Sequence, residues 1–281
     1  MRKQEVIKKL KAAKGFVFDM DGTLVLGNKQ NKGLQPLPGA VELISLLHDR
    51  SIPYISFTNG TTRPPKAYGI ELRKLGFPIE DDAVMTPSSA AADYLSRRGY
   101  KRVMTMGGEG VYGPLQDAGI ETVPPAEGQK AEAIFVGWFR EFTMDHIEAA
   151  CRAVWDGAEL FTASLAPFFA TAGGRALGTS VAIVGAITRI TGCKVKVLGK
   201  PSPEALRSAA RRIGVSTRDL AVVGDDPVLE MPMAHSGKAL AIAVTTGIAG
   251  EAEFKAAPAA KRAHLICSGV DELLKLYSAG R

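Results

Sequence analysis

Cysteine is scarce in this chain. Its three cysteines, Cys151, Cys193 and Cys267, lie far apart in 281 residues and form no Cys-x-x-Cys pair. That excludes a disulfide framework and the common zinc motifs, and points to a reducing compartment. The four histidines, His48, His146, His235 and His264, show no metal-ligand spacing. Aromatic residues make up 7%, and none interleaves with the basic N-terminal segment. A stacking platform for single-stranded nucleic acid is therefore missing there. No run approaches the ~18 apolar residues of a membrane span, and the N-terminus lacks the apolar stretch of a secretory signal. The expectation is a cytoplasmic protein with neither nucleic acid nor membrane as partner.

What is present is a mildly basic, core-forming chain. Hydrophobic residues reach 46%, and the formal net charge is +6. Six positive charges fall in the first fourteen residues: Arg2, Lys3, Lys8, Lys9, Lys11 and Lys14. They read as the solvated face of an amphipathic helix leading into a first strand. A basic surface of this kind also attracts phosphorylated metabolites. Short apolar runs alternate with amphipathic stretches, the pattern of an α/β fold.

Along the chain, residues 15–20 read as a buried strand and 41–47 as a helix. Residues 52–57 follow as a strand, and 65–75 as a helix closed by Gly76. The rhythm restarts after Pro87, with strands at 103–106, 134–138 and 160–163. Thr143 caps a helix that ends at Trp155. Residues 166–178 read as a connection and 179–191 as a helix. Strands at 195–198, 220–223, 240–244 and 264–267 and helices at 203–213 and 271–277 complete the reading. Gly107-Gly108-Glu109-Gly110 lacks the full dinucleotide-binding spacing and reads as a tight turn.

Four polar signatures fall directly after strands: Asp19/Asp21, Thr58, Lys200 and Asp225. Taken singly, each is an ordinary turn. Together they matter, because ligands of open parallel sheets bind beyond the carboxyl ends of the strands. Carboxylates, a hydroxyl and an ammonium meeting there suit a phosphate plus a divalent metal. Asp19 can attack phosphorus as a nucleophile. Two anions repel, so a hard cation such as Mg²⁺ is expected, held by Asp19, Asp225 and the backbone carbonyl of Asp21. Asp21 is positioned as the proton donor and acceptor. Thr58 with the following amides, Asn59 and Gly60, can hold phosphate oxygens, and Lys200 neutralises the remaining charge. Arg63 is a candidate substrate contact, and Trp138, Phe139 and Arg140 are candidate pocket or packing residues.

Asp19-Met20-Asp21-Gly22-Thr23-Leu24 matches the first motif of the haloacid dehalogenase superfamily, and Thr58, Lys200 and Gly224-Asp225-Asp226 match its second, third and fourth motifs in order. About 140 residues separate Thr58 from Lys200, which resembles the para-nitrophenyl phosphatase-like branch (class IIA). Thr58-Asn59-Gly60-Thr61-Thr62-Arg63 and Gly199-Lys200-Pro201-Ser202-Pro203 resemble that branch's signatures. The resemblance implies a Rossmann-like, doubly wound parallel-sheet core at 1–86 and 182–281, with an inserted α/β cap at 87–181. It implies magnesium-dependent hydrolysis of small phosphomonoesters, such as sugar phosphates or phosphoglycolate, through an aspartyl-phosphate. Dimerisation through the cap is also implied. A phosphomutase or phosphotransferase would use the same motifs, and a phosphometabolite-binding protein is the non-catalytic alternative. Where relatives carry an aspartate five residues after the one matching Asp225, this chain has Glu230, so Asp226 and Glu230 are rivals for supporting the metal. The loop at 25–35 is longer than expected, and Thr162-Ala163-Ser164-Leu165 and Gly178-Thr179-Ser180 depart from the family pattern.

Overall fold

A computed structural model of the chain describes residues 2–27, 33–171 and 174–279. The centre of the long loop at 25–35 and the middle of the 166–178 connection lie outside these residues. Helix α1 (Lys3–Lys11) leads into β1 (Gly15–Asp19). Then come a hairpin, β2 (Val25–Leu26) and β3 (Gln35–Pro36), and α2 (Ala40–Asp49), β4 (Tyr54–Phe57), α3 (Pro65–Lys74), β5 (Val84–Met85) and α4 (Pro87–Arg97). A second unit follows: β6 (Arg102–Met106), α5 (Glu109–Asp117), β7 (Glu121–Val123), β8 (Ala133–Val136), α6 (Met144–Trp155), β9 (Glu159–Thr162), β10 (Phe168–Thr171), β11 (Gly174–Leu177), α7 (Thr179–Thr191) and β12 (Val195–Val197). The chain closes with α8 (Pro203–Arg212), β13 (Leu220–Gly224), α9 (Glu230–Ser236), β14 (Leu240–Val244), α10 (Glu251–Ala256), β15 (Leu265–Cys267) and α11 (Val270–Ser278).

These strands form two parallel sheets. The first is six-stranded, in the order β15-β14-β13-β1-β4-β5, and the second five-stranded, in the order β12-β9-β8-β6-β7. Both are covered by helices on two faces, which is why strands such as β1, β4, β8, β13 and β14 are buried along their whole length and do not alternate. In β1, Phe16 and Phe18 pack with Leu10, Leu43, Leu47, Leu273 and Tyr277 of α1, α2 and α11. Val17 points the other way, toward Leu206, Ala209, Met231 and Ala234 of α8 and α9. Leu10 and Val6 bury the apolar stripe of α1, so its lysines are indeed the wet face of an amphipathic helix. The second sheet is sandwiched likewise: Met104, Ile134 and Leu160 face α6 and α7, while Phe135 and Phe161 face α4 and α5.

Local chemistry explains the helix starts. Thr143 Oγ1 accepts the amide of His146 at 3.4 Å and caps α6. Ser202 Oγ accepts from Glu204 N at 3.2 Å, with Pro203 in the first turn of α8. Gly192, with φ +71, stops α7.

Two sequence expectations change. The second unit extends past residue 182, because β12 pairs with β9 in register Val195↔Leu160 to Val197↔Thr162. Helix α7 packs its Ile183 and Ile187 into that unit's core too, so the return to the first sheet comes at about residue 198. The stretch 166–178, expected as a bare connection, contributes an antiparallel pair, β10 with β11.

Candidate active site

The register of the first sheet brings distant residues to one edge. Phe18 lies beside Val223, and Asp19 beside Phe57. Thr58 and Asp225 therefore emerge at the level of Asp19, one on each side of β1. β4 lies to one side of β1 and β13 to the other, so this is a topological switch point. Lys200 arrives differently. It follows β12 of the second sheet, not a strand of the first, and reaches the edge through the turn before α8.

Lys200 is the hub of the site. It is 2% exposed, and its Nζ pairs with Asp19 Oδ1 and, at 2.8 Å, with Glu230 Oε1. Burial pulls its pKa down, but the two carboxylates outweigh that and hold it above the ordinary lysine value, so the ammonium stays charged. Asp19 also accepts from Thr23 Oγ1 at 3.4 Å. Asp21 accepts from Thr58 Oγ1 at 3.2 Å, which ties the first signature to the second. Gly60 N donates back to Thr58 Oγ1 at 3.0 Å. The Asn59 side chain grips the backbone of Lys200 from both sides: its Nδ2 donates to Lys200 O at 3.0 Å, and its Oδ1 accepts from Lys200 N at 2.9 Å. Asn59 thus orients the lysine, and its amide group is committed there.

Asp225 is 5% exposed and accepts from Ile248 N at 2.7 Å. Burial, then Asp19 and Glu230, push its pKa well above the usual carboxylate range. Glu230 is raised by burial, with Lys200 opposing. The two rival acids, Asp226 and Glu230, are placed differently. Glu230 is fully buried on Lys200 and accepts from Asp226 N at 3.1 Å. Asp226 instead folds its own loop, accepting from Val228 N at 2.7 Å.

Sequence reading missed the loop after β14. Thr246 Oγ1 donates to Gly22 O at 2.6 Å, Ile248 N holds Asp225, and any side chain at Gly247 would overlap that carboxylate. The available signal was position: a Thr-Gly pair at another strand end of the same sheet. Arg63, by contrast, is spent on Glu71 at 2.6 Å and on the ring of Tyr68 at 4.6 Å. Trp138 N reaches Thr61, and Phe139 stacks on His146 with ring centroids 5.2 Å apart.

The donor set fits a magnesium ion. Asp19, Asp21, Asp225 and Glu230 crowd one buried region with a single ammonium, Lys200, so the site carries excess negative charge. Burial first, and then neighbouring carboxylates, raise the pKa of Asp225 and Glu230, and a divalent cation would offset both effects. Among the described residues, no three His, Cys, Asp or Glu side chains form a metal cage by themselves. Two carboxylates and a carbonyl leave positions for water and phosphate, which suits an ion that dehydrates reluctantly.

Comparison with known proteins concerns the family and the fold. A model of haloacid dehalogenase-like hydrolases matches residues 16–121, and a second model of the same kind matches residues 197–273. A 5'-nucleotidase of Bacillus subtilis is 26% identical over 247 residues, covering 85% of this chain and 90% of its own. The structure of a p-nitrophenyl phosphatase from Archaeoglobus fulgidus aligns with TM-score 0.82 and 26% identity, over 94% of this chain and 98% of that one. A Mycobacterium tuberculosis glycerol phosphate phosphatase, solved in complex with magnesium, shares the fold at TM-score 0.82 and 24% identity, over 94% of this chain and 77% of that one.

Proposed function

Because the chain belongs to the haloacid dehalogenase-like hydrolases, we propose that it is a magnesium-dependent phosphatase of small phosphomonoesters with Asp19 as its nucleophile. One observation carries this reading: Asp19, Asp21, Thr58, Lys200 and Asp225, from four separate chain segments, meet at one sheet edge, with Lys200 paired to Asp19, Thr58 bonded to Asp21, and Asp225 brought alongside by the pairing of β13 with β1.

The carboxylate of Asp19 attacks phosphorus, and the bond from phosphorus to the ester oxygen breaks. Asp21 passes its proton to the departing alkoxide. It then takes a proton from the water that attacks the aspartyl-phosphate, releasing phosphate and restoring Asp19. Thr58, already hydrogen-bonded to Asp21, turns its hydroxyl to the phosphate. Lys200 stays charged and offsets phosphate charge, held in place by Asn59 and Glu230. A magnesium ion bound by Asp19, Asp225 and the carbonyl of Asp21 would supply the charge neutralisation that lets two anions approach.

The named activities of the relatives support phosphomonoesters as the substrate class. The net charge of +6 supports an anionic substrate such as a sugar phosphate or phosphoglycolate. Exposed Met144, Trp155 and Ile190 on α6 and α7 support pairing of two copies through the second unit. Free cysteines fit a reducing, cytoplasmic setting, and no helix among the described residues is long and apolar enough to cross a membrane.

The test is phosphate release from a panel of phosphorylated metabolites, with and without chelation and with an added alcohol acceptor. Stoichiometric inorganic phosphate that vanishes on chelation is expected. Undiminished turnover after exhaustive chelation overturns the metal role. Transfer to the alcohol in place of phosphate release makes the protein a phosphotransferase.

A further inference from the structure

The loop from Thr58 to Arg63 touches the chemistry at one end and the second unit at the other. At its start, Thr58 donates to Asp21 and Asn59 clamps Lys200. Further along, Thr61 is 4% exposed. Its Oγ1 accepts the amide of Trp138 at 2.8 Å, from a residue 77 positions later and just beyond β8. Two glycines of the second unit make room for this contact. A Cβ on Gly137 would lie 3.0 Å from Thr61 Oγ1 and 2.5 Å from Val111 Cγ2. A Cβ on Gly110, in the first turn of α5, would overlap the Thr61 carbonyl and lie 2.5 Å from Arg63 N. Packed side chains alone can repack and slide. A part-buried hydroxyl–amide bond beside backbone-on-backbone contacts favours one register, because leaving that amide unpaired is costly.

We propose that Thr61 is a positioning residue: its hydroxyl locks the phosphate-binding loop to the second unit and so sets Thr58 and Asn59 against Asp21 and Lys200. No atom of Thr61 needs to touch substrate. The second unit then takes part in assembling the reaction centre and does not only select what enters it. The kinetic arm of the test rests on the phosphatase reading; the exchange arm does not.

Thr61→Val keeps the volume and deletes the acceptor, whereas Thr61→Ser keeps the acceptor. With p-nitrophenyl phosphate as probe, Thr61→Val should lose about 10- to 100-fold in kcat, the scale of a displacement remote from the reacting atoms. Thr61→Ser should stay within about threefold of the parent, and KM should move less than kcat in both. Hydrogen exchange at the amides of residues 58–63 and of Trp138 should accelerate in Thr61→Val only. Parental exchange together with parental kcat in Thr61→Val overturns the proposal. An equal loss in Thr61→Ser also overturns it, since packing and not the acceptor would then be the cause. If the parent protein shows no turnover, the exchange arm still decides the lock, and only the phosphatase reading falls. Should Thr61→Val fail to fold, Gly137→Ala carries the same test by wedging Thr61 from Trp138. Faster loop exchange with lower kcat is then expected, and parental values for both overturn the lock.

Discussion

Asp19 and Glu230 do different work through the same ammonium. Asp19 sits where β1 ends, and in the proposed reaction its carboxylate attacks the incoming phosphorus. Asp19→Asn keeps the shape and removes the nucleophile, so kcat should fall more than about a thousandfold while the circular dichroism spectrum stays parental. Substantial residual turnover would point to a different nucleophile. Glu230 is wholly enclosed, and its contacts are Lys200 and the amide of Asp226. Glu230→Gln should cost about 1–3 kcal/mol in chemical denaturation, the range for disturbing a buried charged hydrogen bond, with Asp19 still pairing the lysine. Asp226→Asn preserves the turn acceptor for Val228 N and should cost clearly less. A larger loss at Asp226 than at Glu230 would reverse the roles assigned to the two acids. Which of them pairs with Lys200 was not legible in the sequence, where they stand four residues apart in one segment. It depends on the path from Asp226 through Leu229 into α9, which turns Glu230 inward.

At the scale of elements, the edge formed by α9, β14 and β15 has its own pH response. His264 Nδ1 accepts the amide of Ala241 at 2.9 Å, at the start of β14. Its ring lies 4.9 Å from that of His235, whose Nε2 pairs with Arg262 O at 2.8 Å. Burial first, then His235 and Lys9 of α1, hold His264 below its ordinary value. The folded chain therefore binds fewer protons than the unfolded chain between that depressed value and about 6.5. The stability contributed is complete above about 6.5 and is lost as pH falls through the depressed value. His264→Asn offers an acceptor near the position of Nδ1 but does not titrate. The difference in thermal midpoint between parent and variant should shrink on acidification across this window. A constant difference from pH 7 to 5 would show that His264 does not titrate with folding. The strands and most helices of this layer were readable from apolar runs and caps. Membership of β12 in the second sheet was not, because Val195–Val197 looks like any short strand and pairing partners are chosen in three dimensions.

For the whole molecule, the excess of buried negative charge at the sheet edge links folding to metal. A cation that binds only the folded site stabilises it, by about 2.7 kcal/mol at a hundredfold excess over Kd. Adding magnesium should therefore raise the thermal midpoint, and Asp225→Asn should abolish most of the rise. A midpoint indifferent to magnesium in the parent would remove Asp225 from metal binding. Calcium should also raise it, since both ions take oxygen ligands, though their geometric demands differ.

The sequence by itself determined the α/β class, the restart of the strand-helix rhythm in a second sheet-forming stretch, and the polar residues that gather at the edge of the first sheet. These follow from local facts: apolar runs of strand length, and carboxylate, hydroxyl and ammonium groups placed just after them. Only the tertiary structure decided which groups touch. It placed Lys200 at the edge from the other sheet, turned Asn59 onto the lysine's backbone, spent Arg63 on Glu71, and brought Thr246, Gly247 and Ile248 over Asp225. It also set Thr61 against Trp138. Apart from Arg63 with Glu71, eight positions on, the hydrogen bonds among these contacts join residues 23 to 224 positions apart. They are fixed by strand register and by close approaches that glycine permits, and a one-dimensional pattern encodes neither.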